Sequence, residues 1–303
     1  MTLVTAADVG AAAERIAPYV LRTPLVRVPG ERLWIKPENR QPTRSFKVRG
    51  ALNAVAELAG RGVEHVIAQS SGNHAQAIAY AAGRFGLRAT VVLPDTAPDL
   101  KVAAARALGA QVVIVPPALR EDACLALADR LGAAVIRSDD AAVIAGHGSI
   151  GAELSRDLPA RAAEGPGTIL VPVCNGGLLS GVAVAAGPGI TVIGVEPELA
   201  ADGQASFRAG RRLAWPVADT YRTIADGLRA PVLGELAWEH IRRHVDDMIT
   251  VSEEQIAAAA EFLRSKLGEH AEPSGAVTTA AYFAHHEALP EGPVAAILTG
   301  GNV

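Results

Sequence analysis

The chain has 303 residues, of which 50% are hydrophobic and 20% charged, with a net charge of −4 at pH 7. Such a length can bury one large core or two modest ones, while the slight acidity and 4% aromatic content give no case for a nucleic-acid surface or an anionic membrane. No apolar run reaches the length of a membrane span, the N-terminal segment lacks a basic-then-apolar export signal, and two cysteines cannot build a disulfide framework, so a reducing cytoplasm is expected.

In chain order, Thr5-Ala6-Ala7-Asp8 reads as a helix start, with Thr5 as cap and Asp8 reaching back. A polar, Pro-containing stretch from Glu38 to Arg44 then leads into Ser45-Phe46-Lys47-Val48-Arg49-Gly50-Ala51, the opening of an Ala-rich helical run. Short apolar strands are expected at His65–Ala68, Thr90–Leu93, Val112–Val115 and Ala134–Ile136. Helical runs at Ala75–Phe85, Pro98–Leu108 and Ala123–Leu131 separate them, and Cys124 reads as a packing residue of the last. A second series places strands at Thr168–Val171, Val192–Val195, Met248–Val251 and Val294–Leu298. Strands that are apolar throughout and divided by helices imply parallel sheets covered on both faces. Two series predict two three-layer α/β domains with mostly parallel sheets: a smaller, mobile one over 48–142, and a larger one over 1–47 and 143–303.

Ligands of open parallel sheets sit beyond the carboxyl ends of the strands. Ser70-Ser71-Gly72-Asn73-His74, Cys174-Asn175-Gly176-Gly177-Leu178 and Thr299-Gly300-Gly301-Asn302 all follow strands at that end. Their convergence argues for one shared site. In the Cys174 segment, glycines and a helix N-terminus can present amide N–H groups to an anion such as phosphate. A plain tight turn fits that segment alone equally well, and it is neither a Walker loop nor a dinucleotide fingerprint. Helix capping is the simpler account of Ser71 or Asn73 alone. Lys47 is the side-chain type that condenses with an aldehyde cofactor.

Taken together, the segments resemble the fold-type II pyridoxal-phosphate enzymes, specifically the serine/threonine dehydratase and serine racemase family, with a tryptophan synthase beta-like fold. The matching stretches are the Ser45 and Ser70 segments, Val143-Ile144-Ala145-Gly146, Thr223-Ile224-Ala225-Asp226-Gly227, Glu272-Pro273-Ser274 and Gly300-Gly301-Asn302-Val303, in family order over nearly the whole chain. The resemblance implies that Lys47 carries the covalent link to pyridoxal 5'-phosphate and removes the α-proton. Ser71 falls where the family places an acid or base on the opposite face. Phe46, Asn73, Cys174, Asn175, Gly176, Gly177, Leu178 and Thr299 would contact the cofactor: Gly176 to Leu178 at its phosphate, Asn73 at the ring oxygen, Thr299 at the pyridine nitrogen. Ser70, Ser71, Gly72, Asn73 and His74 would hold the substrate carboxylate. Glu196, Ala200 and Asp202 resemble the family's divalent-ion loop, suited to Mg²⁺ or Ca²⁺. A homodimer follows from the same resemblance.

Some positions depart from the family. Cys174 and Asn175 stand where two glycines are usual, and Asn175 is expected to tolerate a left-handed backbone. Arg44 stands where many members have glycine, and His147 where glutamine is common, with the same hydrogen bond expected of it. The implied activity is an ammonia-lyase that removes water from L-threonine or L-serine to give a 2-oxo acid and ammonia. Three readings stay open beside it: a racemase, a β-replacement synthase, and a folded homologue used for binding alone.

Overall fold

The computed structural model describes residues 2–70, 72–97, 99–158 and 167–303. Helix α1 (Ala6–Ile16) opens the chain with the expected capping box: Thr5 accepts from the Asp8 amide while the Asp8 side chain accepts from Thr5. Two strands follow that the periodicity did not suggest, β1 (Val26–Arg27) and β2 (Leu33–Pro37). The first is only two residues long, and the second carries Lys36 near its end. Next come α2 (Lys47–Gly60), β3 (His65–Gln69), α3 (Asn73–Phe85), β4 (Arg88–Pro94), α4 (Asp99–Ala107), β5 (Gln111–Val115), α5 (Arg120–Leu131), β6 (Ala134–Val135) and α6 (Ala141–Asp157). The remainder comprises β7 (Thr168–Pro172), α7 (Gly177–Ala185), β8 (Thr191–Pro197), α8 (Asp202–Ala209), α9 (Val217–Thr220), α10 (Glu235–His244), β9 (Asp247–Val251), α11 (Glu253–Leu267), α12 (Pro273–His285) and β10 (Val294–Leu298). Pro98, expected to open a helix, lies outside the described residues.

The strands form two sheets, a six-stranded one ordered β1-β2-β10-β7-β8-β9 and a four-stranded one ordered β5-β4-β3-β6. Every pairing is parallel except β1 with β2, where Val26 faces Ile35. Alternate residues of the large sheet feed two cores. Leu170, Ile193, Val195 and Ala296 pack with Ile256, Val277 and Ala281 of α11 and α12. Ile169, Val171, Val192 and Ile297 pack with Ile150, Leu179 and Ile241 of α6, α7 and α10. That is the sheet alternation of a three-layer α/β unit. The small sheet has its own core, in which Val66, Ala68 and Val91 meet Val48, Leu52 and Val55 of α2 and Ile78 of α3. No helix among the described residues is long and apolar enough to cross a membrane.

Strand order fixes where a ligand can sit. In the large sheet the chain runs from β7 through β8 to β9, then β10 returns on the other side of β7. In the small sheet it runs from β3 through β4 to β5, and β6 returns on the other side of β3. At such reversals the loops leaving adjacent strands part and open a crevice. The four loops concerned begin at Ser70, Ile136, Val173 and Thr299.

Candidate active site

Those four loops line one cavity of about 890 Å³. Lys47 lies in its wall with Phe46, Ser70, Gly72, Asn73, His74, Cys174, Asn175, Gly176, Gly177, Leu178 and Thr299. Ser71 lies outside the described residues. The convergence expected from the sequence is therefore present, and the Ile136 loop contributes a fourth side that sequence reasoning missed, with Arg137, Ser138 and Asp139. The signal was available, since the strand expected at Ala134–Ile136 ends directly before Arg137.

Lys47 is positioned by the end of the adjacent strands. Phe46 donates its N–H to the Thr299 carbonyl at 3.0 Å, and Ser45 bridges antiparallel to Gly300. Because β2 and β10 are parallel neighbours, the segments that leave them remain side by side, which brings Lys47 next to Thr299. Burial pushes the Lys47 ammonium below its usual range, and Cys174, Asp139 and Glu272 oppose the shift. A lysine biased toward the free amine can act as nucleophile or base.

The loop after β7 is built for an anion. Gly176 has φ of +90°, a left-handed conformation that glycine adopts without cost. A β-carbon at Gly177 would stand 2.6 Å from the Ser138 carbonyl, so that residue too must be glycine. Together they place the first-turn amides of α7, which precede the helical ladder, on the cavity. The left-handed tolerance expected of Asn175 is not called upon: the only non-glycine with positive φ among the described residues is Arg44, at 54°. Instead the Asn175 side chain ties two loops together, since its amide donates to Ser138 Oγ at 2.7 Å and its carbonyl accepts from the Gly177 amide.

Asn73 is held from both sides. Its amide donates to Glu272 Oε1 at 2.5 Å, and its carbonyl accepts from Asn302 at 2.7 Å. Glu272 caps α12 in a buried position; burial raises its carboxyl to about 7, with Asp226 adding to the shift. Ser70 Oγ accepts from the Gly72 amide, and Thr299 donates to the Ser274 carbonyl at 3.3 Å. His74 is buried, and desolvation with the Lys47 charge lowers it to about 3, so it stands as a neutral imidazole. His147 does not behave as expected: it lies behind Phe46, ring centroids 4.7 Å apart, and neither ring nitrogen has a hydrogen-bond partner among the described residues. Its neighbour across the contact is Gly50, close enough that a β-carbon there would clash. Cys124 is buried as foreseen but also forms part of the cavity wall.

Further away, Glu196 lies near the end of β8, fully buried, and its oxygens accept from the Gly203 and Gln204 amides at 3.1 and 2.7 Å. Asp202 begins α8, and its Oδ2 is buried without a partner among the described residues. Burial, joined by the Asp202 charge, drives Glu196 well above its ordinary range, and burial drives Asp202 to about 7. Ala200, in the turn between them, is buried as well. Two desolvated carboxylates with an orphaned oxygen fit a hard cation completed by backbone carbonyls and water. No cluster of three or more His, Cys, Asp or Glu side chains suited to a metal occurs among the described residues.

An amine-bearing cavity at paired switch points, a glycine turn at a helix N-terminus, and two parallel-sheet units define a fold-type II pyridoxal-phosphate enzyme. Comparison with known proteins agrees. The family model described as "Pyridoxal-phosphate dependent enzyme" matches residues 16–300, and the chain belongs to that family. It is 40% identical to the L-threo-3-hydroxyaspartate ammonia-lyase of Saccharomyces cerevisiae, over 100% of this chain and 94% of that one. It is 37% identical to the serine racemase of Schizosaccharomyces pombe, over 100% and 95% respectively. Its fold superposes on a solved threonine deaminase, that of T.th., with a TM-score of 0.91 and 43% identity, covering 99% of this chain and 98% of that one. The chain is thus a pyridoxal-phosphate enzyme of the ammonia-lyase and racemase group.

Proposed function

We propose that this enzyme removes water from a β-hydroxy amino acid of the L-serine and L-threonine type, releasing a 2-oxo acid and ammonia. The observation that carries the reading is the Lys47 amine, biased toward neutrality inside a cavity whose other walls offer an amide turn at Gly176 and a hydroxyl at Thr299. The cavity residues fit pyridoxal phosphate, which when bound supplies the electron sink for loss of the substrate's α-proton.

The chain's own residues then divide the work. Lys47 would hold the cofactor and would accept the substrate's α-proton at Nζ. Amides of Gly176, Gly177 and Leu178 would bind the phosphate, with the α7 N-terminus adding positive potential. Phe46, Cys174 and Asn175 complete the cofactor's surroundings. Asn73, held by Glu272 and Asn302, would orient the ring oxygen. Ser70, Gly72 and His74 would receive the substrate carboxylate. Thr299 would offer the cofactor's ring nitrogen a neutral hydroxyl rather than a carboxylate, which suits loss of a β-hydroxyl better than chemistry that needs a protonated ring. Closure of residues 48–142 over the substrate would exclude water. Glu196, Ala200 and Asp202 would hold Mg²⁺ or Ca²⁺, and the working unit is a cytoplasmic homodimer.

The test is a product analysis of the holoenzyme with L-serine and L-threonine, including chiral analysis of the remaining amino acid. A 2-oxo acid is expected. D-amino acid without oxo acid would replace this reading with a racemase. Lys47→Ala should abolish both product and the visible absorbance of the lysine-linked cofactor; an unchanged spectrum would remove Lys47 from its role.

A further inference from the structure

Phe46 and Gly50 are four residues apart at the start of α2, and Val143 and His147 are four apart on α6, so each pair presents one face to the other helix. The helices cross with almost no space between them. A β-carbon at Gly146 would stand 2.5 Å from the Arg49 carbonyl, and one at Gly50 would stand 2.5 Å from His147 Nε2 and 2.7 Å from Val143 Cγ1. The His147 ring is fully buried at that crossing and lies against the Phe46 ring, tilted by 54°. Packing this close leaves the imidazole no room to withdraw.

Hydrogen bonding does not account for an imidazole at this place. Both ring nitrogens are buried without a partner among the described residues, an arrangement that costs stability. Burial, with the Lys47 charge adding to it, lowers the ring well below its ordinary range, so it stands neutral. What the ring does offer Phe46 is a flat, rigid surface. Phe46 in turn has Lys47 Nζ over its own ring, 4.8 Å from the centroid, within reach of a cation–π contact. The three side chains form a series that starts on α6 and ends at the cavity. Among the described residues that line the cavity, Phe46 and Lys47 are present and His147 is not, so His147 can act there only through Phe46.

We propose that His147 is a positioning residue: its ring wedges Phe46 and thereby fixes the aromatic face over which Lys47 Nζ, and the group that Lys47 carries, are held. It works by shape. A loose Phe46 ring would let Nζ stray, and a misplacement of about 1 Å at reacting atoms can cost up to about 100-fold in rate. The proposal rests on Lys47 holding pyridoxal phosphate, and not on which substrate is consumed.

The test is the circular dichroism of the visible band of the lysine-linked cofactor in the holoenzyme, divided by its absorbance. That ratio reports how the bound group is held whatever fraction of the protein is loaded, and it needs no turnover. His147→Ala should lower the ratio, speed cofactor release about tenfold, and lower kcat more than it raises KM. Phe46→Leu should do the same, and the double variant should be no worse than either alone, because both act on one contact. His147→Phe, which keeps the flat ring and sheds both nitrogens, should restore the ratio and the slow release. If His147→Ala does not fold, His147→Leu, close in volume but not planar, carries the same expectation. A lowered Tm with ratio and release unchanged would make His147 a packing residue alone and overturn the proposal. Additive losses in the double variant, or a phenylalanine variant as impaired as the alanine one, would overturn it too. A wild type without the visible band would sink the Lys47 assignment and this proposal together. A band that responds as expected, with no oxo acid formed, would sink the elimination reading and leave His147 in its role.

Discussion

Lys101 and Asp226 meet at 2.7 Å across the cavity, one from α4 beside the small sheet, the other from the turn ahead of α10 beside the large sheet. The Lys101 chain also lies over Gly72, its Nζ 3.2 Å from where a β-carbon would stand. An ion pair that bridges the two sheet units would favour the closure proposed above. Asp226→Asn should lower kcat/KM about two- to fivefold, the worth of a partly exposed pair. The wild-type enzyme should lose the same advantage as salt rises, while the variant stays level. Parallel salt dependence in both would show that the pair does not hold the cavity closed.

Glu272 sets a pH dependence. Burial and the nearby Asp226 raise its carboxyl to about 7, so it is protonated below that pH and ionised above it. Ionisation strengthens the bond it accepts from Asn73. Activity should therefore rise through a limb near pH 7, and Glu272→Gln should flatten it. The stability term has the opposite sign: an acid whose folded pKa is raised stabilises least once pH climbs past that value. A kinetic limb that survives in Glu272→Gln would assign it to another group.

The Glu196 and Asp202 pair makes a linked prediction. Both carboxyls are raised by burial, Asp202 to about 7, so the cation-free protein should lose stability as pH climbs from about 4 to 7. Mg²⁺ or Ca²⁺ should restore the melting temperature, more strongly at pH 8 than at pH 5. Glu196→Gln should remove that rescue. A melting temperature indifferent to either cation at both pH values would rule out the site.

A buried charge network supports the helix that carries Lys47. Arg49 forms ion pairs with Glu38 at 2.7 Å and Glu153 at 2.8 Å, and Glu153 also pairs with Lys36 at 2.5 Å. Burial alone would raise Glu38, but Arg49 outweighs it and holds the carboxyl below its usual range. Glu153→Ala leaves Lys36 and part of Arg49 uncompensated in the core, which should cost about 3–5 kcal/mol. Denaturant unfolding of the wild type and variant measures it; a loss below about 1 kcal/mol would mean that water reaches the network.

The fold was legible where strands are apolar throughout. The strands from His65 to Leu298 could be located because parallel strands covered on both faces read as continuous hydrophobic runs. β1 and β2 escaped because a two-residue strand has no period and because Lys36 looks like a surface residue until Glu153 is seen beside it. Among the site residues, Lys47, Asn73 and the Gly176 turn each had a plain structural reading alone, and stood out through the convergence of their segments and the family resemblance, which also flagged the Glu272 stretch without a role for its carboxyl. Arg120 and Arg137 did not stand out, since a surface charge and a cavity charge are the same letter; only the strand reversal between β3 and β6 tells them apart. His147 was misjudged for a related reason. A hydrogen-bond partner cannot be read from one residue, and here Phe46 and Gly50 occupy its surroundings.

The hydrogen bond from Phe46 to Thr299 joins positions separated by most of the chain. Contacts of such sequence separation form slowly, because a long loop must close before they return any free energy. During synthesis, Lys47 leaves the ribosome long before β10 exists to receive its neighbours. Cofactor capture is then among the last events of maturation rather than a seed for it, and the return of visible absorbance after dilution from denaturant becomes a clock for the final docking of β10 against β2.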